Sequence, residues 1–285
     1  MSEPRYGLDD LLTLMAVLRD ADQGCPWDLK QDWDSIVPHT LEEAYEVADA
    51  IERRAYEELP GELGDLLFQV IYYAQFGAEE GRFDFHDVVH ALTAKMLRRH
   101  PHVFPEGTLV SRRPPGVSAE AIETRQVHSR WESLKAEERA ERDARSVLDD
   151  VPRTLPALSR AAKLAKRAAR VGFDWPDETG VIAKIREELA EVEAALAAGD
   201  RDHAAEEVGD LLFAVTNLAR RLKADPERCL RGTNAKFERR FRRVEAALAE
   251  AGRDLADASL DEMEDHWQAA KHEESATAHS EEGAK

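Results

Sequence analysis

The sequence predicts an all-α protein built from one helical unit written twice, and three observations carry that prediction. Apolar residues recur at spacings of three and four, as in Leu41, Ala44, Val47, Ala48 and Ile51, which gathers them on one helix face. The strict alternation of a half-buried strand is absent. The third observation is a duplication. LEEAYEVADAI at 41 to 51, followed by GELGDLLFQV at 61 to 70, returns as REELAEVEAAL at 186 to 196, followed by AEEVGDLLFAV at 205 to 215. Glu43, Glu46, Glu62 and Asp65 map onto Glu188, Glu191, Glu207 and Asp210 at one constant offset without a gap. The similarity spreads outward from Gly24 and Trp27 against Gly172 and Trp175 to Lys95, Arg98 and Arg99 against Lys236, Arg239 and Arg240.

Taken in order, the first 20 residues are amphipathic and acidic rather than a basic segment leading into an apolar core, so they are not read as a signal peptide. Residues 1–104 form a first helical domain. Within it LPG at 59 to 61 breaks two acidic helices, and AGD at 198 to 200 does the same in the second domain; such short breaks favour antiparallel hairpins. Residues 105–150 carry ProProGly at 114 to 116 and then a highly charged run, which predicts a linker containing a solvated helix. A second helical domain spans 151–270. The segment 271–285, KHEESATAHSEEGAK, has no large apolar residue and is expected to be a disordered tail.

The length of 285 residues fits about two domains. A formal net charge of −19 repels phosphates at long range, which argues against bulk electrostatic binding of nucleic acid or anionic membrane. Any phosphate site must then be built locally. Cys25 and Cys229 lie in separate halves and suggest neither a disulfide framework nor a zinc site. The longest nearly apolar stretch, Leu66 to Phe76, is about half of what a membrane-spanning helix needs, and a cytoplasmic location is expected.

The repeated acids carry the chemistry. At about 100° per residue, Glu188 and Glu191 share a face of one helix, and Glu207 and Asp210 share a face of the next. Pairing the helices converges four carboxylates, which is unfavourable unless a hard divalent cation compensates. Magnesium, with manganese as substitute, is the natural candidate, and Glu43, Glu46, Glu62 and Asp65 predict a second site in the first half. Any single Glu on such a helix is more often its wet side. The repetition of all four positions, and the almost wholly apolar runs after Asp65 and Asp210, which read as buried helices, favour the metal. A di-iron bundle wants Glu-x-x-His, yet none of the ten histidines has Glu three positions earlier. Phosphate loops of the GxxxxGK[ST] or GxGxxG kind are missing too.

The basic complement is GTNAKFERRFRRVE at 232 to 245, with Asn234, Lys236 and Arg240 within two turns, which either neutralise a polyphosphate or are surface charges pairing with the chain's excess of acids. Lys184 precedes Glu187 and Glu188 and serves either as a helix-stabilising pair or as a phosphate ligand. Trp267 either stacks on a base or anchors the last helix.

Glu-Glu-x-x-Glu, Glu-x-x-Asp sixteen residues further on, and then Asn-x-Lys-Phe-Glu-Arg-Arg-Phe resemble the MazG family of the all-alpha NTP pyrophosphatase superfamily. GCPWD at 24 to 28, RRHPHVF at 98 to 104 and RGTNAKFERRF at 231 to 241 resemble that family's landmarks in its own order. The resemblance implies two tandem helical-bundle domains, a homodimer with active sites of four-helix-bundle type, and Mg²⁺ bound by the acids. It also implies hydrolysis of NTPs and dNTPs to monophosphate plus pyrophosphate in nucleotide-pool house-cleaning. By position, Glu188, Glu191, Glu207 and Asp210 are implied metal ligands and Glu187 a further catalytic acid, while Lys184, Lys236 and Arg240 contact the triphosphate and Trp267 lies by the base. The first half departs from this set, with His39 in place of Lys184 and Thr93 in place of Asn234, so the second half is expected to be the main active site. The rival expectation is a non-catalytic helical dimer whose acids hold a structural cation or a protein partner.

Overall fold

The computed structural model describes residues 5–114 and 146–282. Among these residues every regular element is helical, and the chain divides into two compact units, residues 1–138 and 139–285. The expected linker helix falls, for residues 115–145, outside the described residues.

The first unit comprises α1 (Leu8–Leu18), α2 (Trp33–Arg53), α3 (Leu59–Glu79) and α4 (Phe85–Arg99). Each start has a local cause. The Asp32 carboxylate accepts from the Ser35 backbone N–H at 2.8 Å, and Asp84 does the same for Asp87 at 3.0 Å, which satisfies donors the helix itself leaves orphaned. The break predicted at LPG is the first turn of α3, where Pro60 fits because a first-turn residue needs no N–H. The helix α2 ends at Arg54 in the left-handed region, φ 63°, and contains Pro38, whose missing N–H removes one bond from the ladder. The α2–α3 hairpin is the main packing, with α1 and α4 against α3. Met15, Ile36, Ile71, Tyr72 and Phe76 form the core.

The GCPWD landmark lies in the loop between α1 and α2. A Cβ at Gly24 would meet the Asp20 carbonyl oxygen at 2.4 Å and that of Leu18 at 2.5 Å, so only glycine fits this approach. Asp28 is buried and accepts from the Tyr72 hydroxyl. Arg19 donates to the carbonyls of Asp28 and Gln31, pairs with Glu79 at 2.7 Å, and lies over the Phe76 ring.

The second unit comprises α5 (Ala157–Ala169), α6 (Glu178–Ala197), α7 (Arg201–Arg221), α8 (Pro226–Glu250) and α9 (Leu260–Glu282). The α6–α7 hairpin repeats α2–α3, α5 packs on α7, and α8 packs chiefly on α9. The loop before α6 is cross-tied: Asp174 pairs with Arg220 at 2.7 Å, and Arg221 donates to the carbonyls of Trp175 and Pro176 at 2.9 and 3.1 Å. The two units therefore pin corresponding loops with different residues.

Two expectations are corrected. Residues 271–282 continue α9 because KHEESATAHSEE contains no helix breaker, and Glu273 and Glu274 pair with arginines of α8. The runs after Asp65 and Asp210 are only half-buried. Leu67 and Val70 on α3, and Leu212, Phe213 and Val215 on α7, stay exposed, since each hairpin covers one face of these helices.

The Arg19–Glu79 pair makes a pH-dependent prediction. Arg19 holds the Glu79 carboxyl below the usual carboxylate range. Its contribution is therefore present above about pH 4.3 and is lost as pH falls through the lowered value. Urea unfolding of the first unit should show Glu79→Gln less stable than the parent at pH 7, with the gap narrowing as the pH is taken below the ordinary glutamate value of about 4.3; a constant gap would contradict the assignment.

Candidate functional site

The second unit's acids are placed by one hairpin. Asp177 starts α6 by accepting from Thr179 N–H at 2.9 Å, and Asp200 starts α7 by accepting from His203 N–H at 3.0 Å; each such cap contributes about 1 kcal/mol. The two caps fix where each helix begins, and so which turn of α6 faces which turn of α7. Carboxylate oxygens of Glu188, Glu207 and Asp210 then lie within 4.8 Å of one another. Glu188 is buried, while Asp210 is exposed.

Glu191 does not join that triplet of mutually close oxygens, so three of the four predicted acids converge rather than four. It interacts with Glu188 instead. The hydrogen bond to Glu188, helped by burial and the charge of Glu207, pushes the Glu191 carboxyl up. The Lys184 ammonium, 2.6 Å from Glu188 and 2.8 Å from Glu187, holds Glu188 below the usual range. Lys184 is thus a paired cation on the rim of the acids. His203 Nδ1 lies 3.5 Å from Glu207.

The first unit repeats the geometry with a weaker counter-charge. Oxygens of Glu43, Glu62 and Asp65 also lie within 4.8 Å, and Glu46 again stands outside the triplet. Burial, then the hydrogen bond to Glu46, pushes Glu43 up, and the charges of Glu46 and Asp65 add to it. Where Lys184 stands in the second unit, His39 faces Glu42 at 3.7 Å and meets the edge of Trp27, ring centroids 6.3 Å apart.

Asn234, Lys236, Arg240 and Trp267 form a separate group on α8 and α9. Trp267 packs against Phe237 with ring centroids 5.1 Å apart, and the Arg240 guanidinium lies 5.8 Å from the Trp267 ring centre. Asn234 and Lys236 are exposed. Among the described residues no ion pair joins this group to the acids of α6 and α7. Glu274, which bonds Arg239 and Arg240 at 2.7 and 2.8 Å, escaped the sequence reading. The available signal was its place two helical turns beyond Trp267.

The three-oxygen donor sets, free of His and Cys, suit a hard divalent cation. They hold negative charge close to exposed surface, beside a lysine in one unit and a histidine in the other.

Comparison with known proteins follows this pattern. The MazG nucleotide pyrophosphohydrolase domain matches residues 31–104 and 177–244, so both hairpins fall within it. The chain is 50% identical over 269 residues to the nucleoside triphosphate pyrophosphohydrolase of Escherichia coli K12, covering 94% of this chain and 98% of that protein. It is 37% identical over 271 residues to the nucleoside triphosphate pyrophosphohydrolase/pyrophosphatase MazG of Thermotoga maritima, covering 95% and 98%. It is also 40% identical over 277 residues to the uncharacterized protein YabN of Bacillus subtilis, covering 96% of this chain and 54% of that protein.

The repulsion within the second hairpin can be read directly. In chelator at pH 7, Glu191→Gln should raise the thermal midpoint of the second unit, because it removes a charge that is unfavourable there, and Lys184→Met should lower it. The opposite ordering would contradict the charge assignment.

Proposed function

The chain belongs to the MazG nucleotide pyrophosphohydrolase family, and on that footing we propose that it hydrolyses NTPs and dNTPs to a monophosphate and pyrophosphate, clearing nucleotide pools. The observation that carries this reading is the convergence of Glu188, Glu207 and Asp210 within 4.8 Å beside Lys184.

The donor set fits Mg²⁺, with Mn²⁺ as a substitute, held by Glu188, Glu207 and Asp210 with Glu191 next to them. The corresponding set in the first unit is Glu43, Glu62 and Asp65 with Glu46. When bound, a divalent cation supplies Lewis-acid polarisation of the phosphate and lowers the pKa of water. The residues do the rest. Glu187 is exposed at 58% of its side chain and so remains available to take a proton from the attacking water. Lys184 turns from its carboxylate partners toward the α-phosphate region. Asn234, Lys236 and Arg240 bind the triphosphate, and Trp267 lies by the base. Leaving pyrophosphate is stabilised by positioned cations rather than by a covalent intermediate.

A second copy of the chain is the partner this reading requires. Among the described residues the basic group on α8 makes no ion pair with the acids of α6 and α7, and Val208, Leu212, Phe213 and Val215 leave an apolar face of α7 open. Such a face is expected to be covered in the working protein. A homodimer brings both features into use at once, and the cytoplasm is the expected compartment.

Product analysis tests the reaction. With several NTPs, dNTPs and Mg²⁺, equal monophosphate and pyrophosphate should form, and Asp210→Ala should lose at least about 100-fold. Asp65→Ala should lose less, because its hairpin has His39 where the other has Lys184. Intact triphosphates throughout would favour a cation- or partner-binding helical dimer. For the assembly, light scattering should give twice the chain mass, and Leu212→Glu should shift it toward one.

A further inference from the structure

One carboxylate from α9 holds two arginines of α8 in an unusual way. Glu274 Oε1 accepts from Arg239 Nε at 2.7 Å, and its Oε2 accepts from Arg240 Nε at 2.8 Å. A guanidinium binding a carboxylate or phosphate for its own sake commonly does so through two nitrogens. Here each arginine gives up a single N–H. Among the described residues, the terminal Nη groups of Arg239 and Arg240 have no hydrogen-bond partner, so the fork of each that suits an oxyanion is left open.

The arrangement is also stiff on its other side. Arg240 lies beside the Trp267 ring, and only 17% of its side chain is exposed. Trp267 in turn packs on Phe237. An arginine on a free surface must surrender much rotamer freedom to bind. Arg240 has surrendered it already, because Glu274 fixes its ε nitrogen and the ring limits its plane. The adjacent pair, Arg243 with Glu273 at 3.0 Å, is exposed on both sides, at 67% and 62%.

We infer that Glu274 is a positioning residue for phosphate recognition: it pre-orients Arg239 and Arg240 by their ε nitrogens and leaves the terminal nitrogens for phosphate oxygens of the triphosphate. The inference deepens the proposed function and rests on it. The alternative is that the Glu274 carboxylate sits in the phosphate's own place as an internal competitor. The single-nitrogen contacts speak against that, since a phosphate mimic would occupy the open fork.

The two readings predict opposite signs. In the full-length protein, Glu274→Ala should raise KM for an NTP and Kd for inorganic tripolyphosphate by about three- to tenfold, with kcat changed by less than about twofold. Glu274→Gln, which keeps one acceptor oxygen, should fall between, and Glu273→Ala should match the parent. Circular dichroism and thermal melting of each variant establish that it is folded. Tighter binding in Glu274→Ala would identify a competitor and overturn the inference, as would binding equal to the parent. Tripolyphosphate binding, measured by calorimetry, separates the two levels. A parent protein that binds tripolyphosphate without hydrolysing NTPs defeats the function while the shift in Glu274→Ala still supports positioning, and a parent that binds neither defeats both.

Discussion

Carboxylates gathered between two helices repel one another, and the rest of each unit exists to hold them together against that force. The hairpin is the device. Its helices are started by Asp177 and Asp200 in one unit and by Asp32 and Pro60 in the other, so that the acids face each other at a fixed turn. The loop before each hairpin is then tied down. In the first unit the tie is Arg19 with Glu79 and Tyr72 with Asp28; in the second it is Asp174 with Arg220 and the Arg221 contacts to two carbonyls. Cross-ties of this kind, the Tyr72–Asp28 bond being buried, resist the splaying that like charges favour.

The duplicated units solve the same electrostatic problem with different counter-charges. Lys184 carries a full positive charge at the rim of one cluster, and Glu188 is consequently held ionised. His39 in the other faces Glu42 and the edge of Trp27, and burial, then Glu46, pushes Glu43 toward its protonated form. A cluster that already has a cation at its edge is closer to the charge state a divalent ion demands. Divergence between the copies is thus concentrated in the neighbours of the acids rather than in the acids themselves.

The helical class, the duplication and the acids were all legible in the sequence, because each depends on local periodicity and on residue types repeated at one spacing. What was not legible depends on contacts distant in sequence. Glu46 and Glu191 share a face with Glu43 and Glu188, yet the crossing of the helices decides that only three oxygens converge. Leu212 and Phe213 read as buried because an almost wholly apolar run does not say which of its faces the rest of the unit covers. The segment after 270 read as a tail because it has no large apolar residue, whereas it is held through charge, Glu274 having two arginines as partners. Gly24 was noticed as part of a repeated pattern, but its reason is the backbone of Leu18 and Asp20 lying where a Cβ would be.

The concentration of arginines on α8, set in a chain of net charge −19, has a kinetic side. Beyond a screening distance of about 8 to 10 Å a polyphosphate feels mainly the repulsive field of the whole molecule, and inside it the local attraction of Arg239, Arg240 and Lys236. Salt weakens the outer repulsion first and the close contacts least. Encounter with a triphosphate should therefore quicken as ionic strength rises from low values, the reverse of electrostatic steering, and the protein trades speed of capture in dilute buffer for indifference to the anions around it.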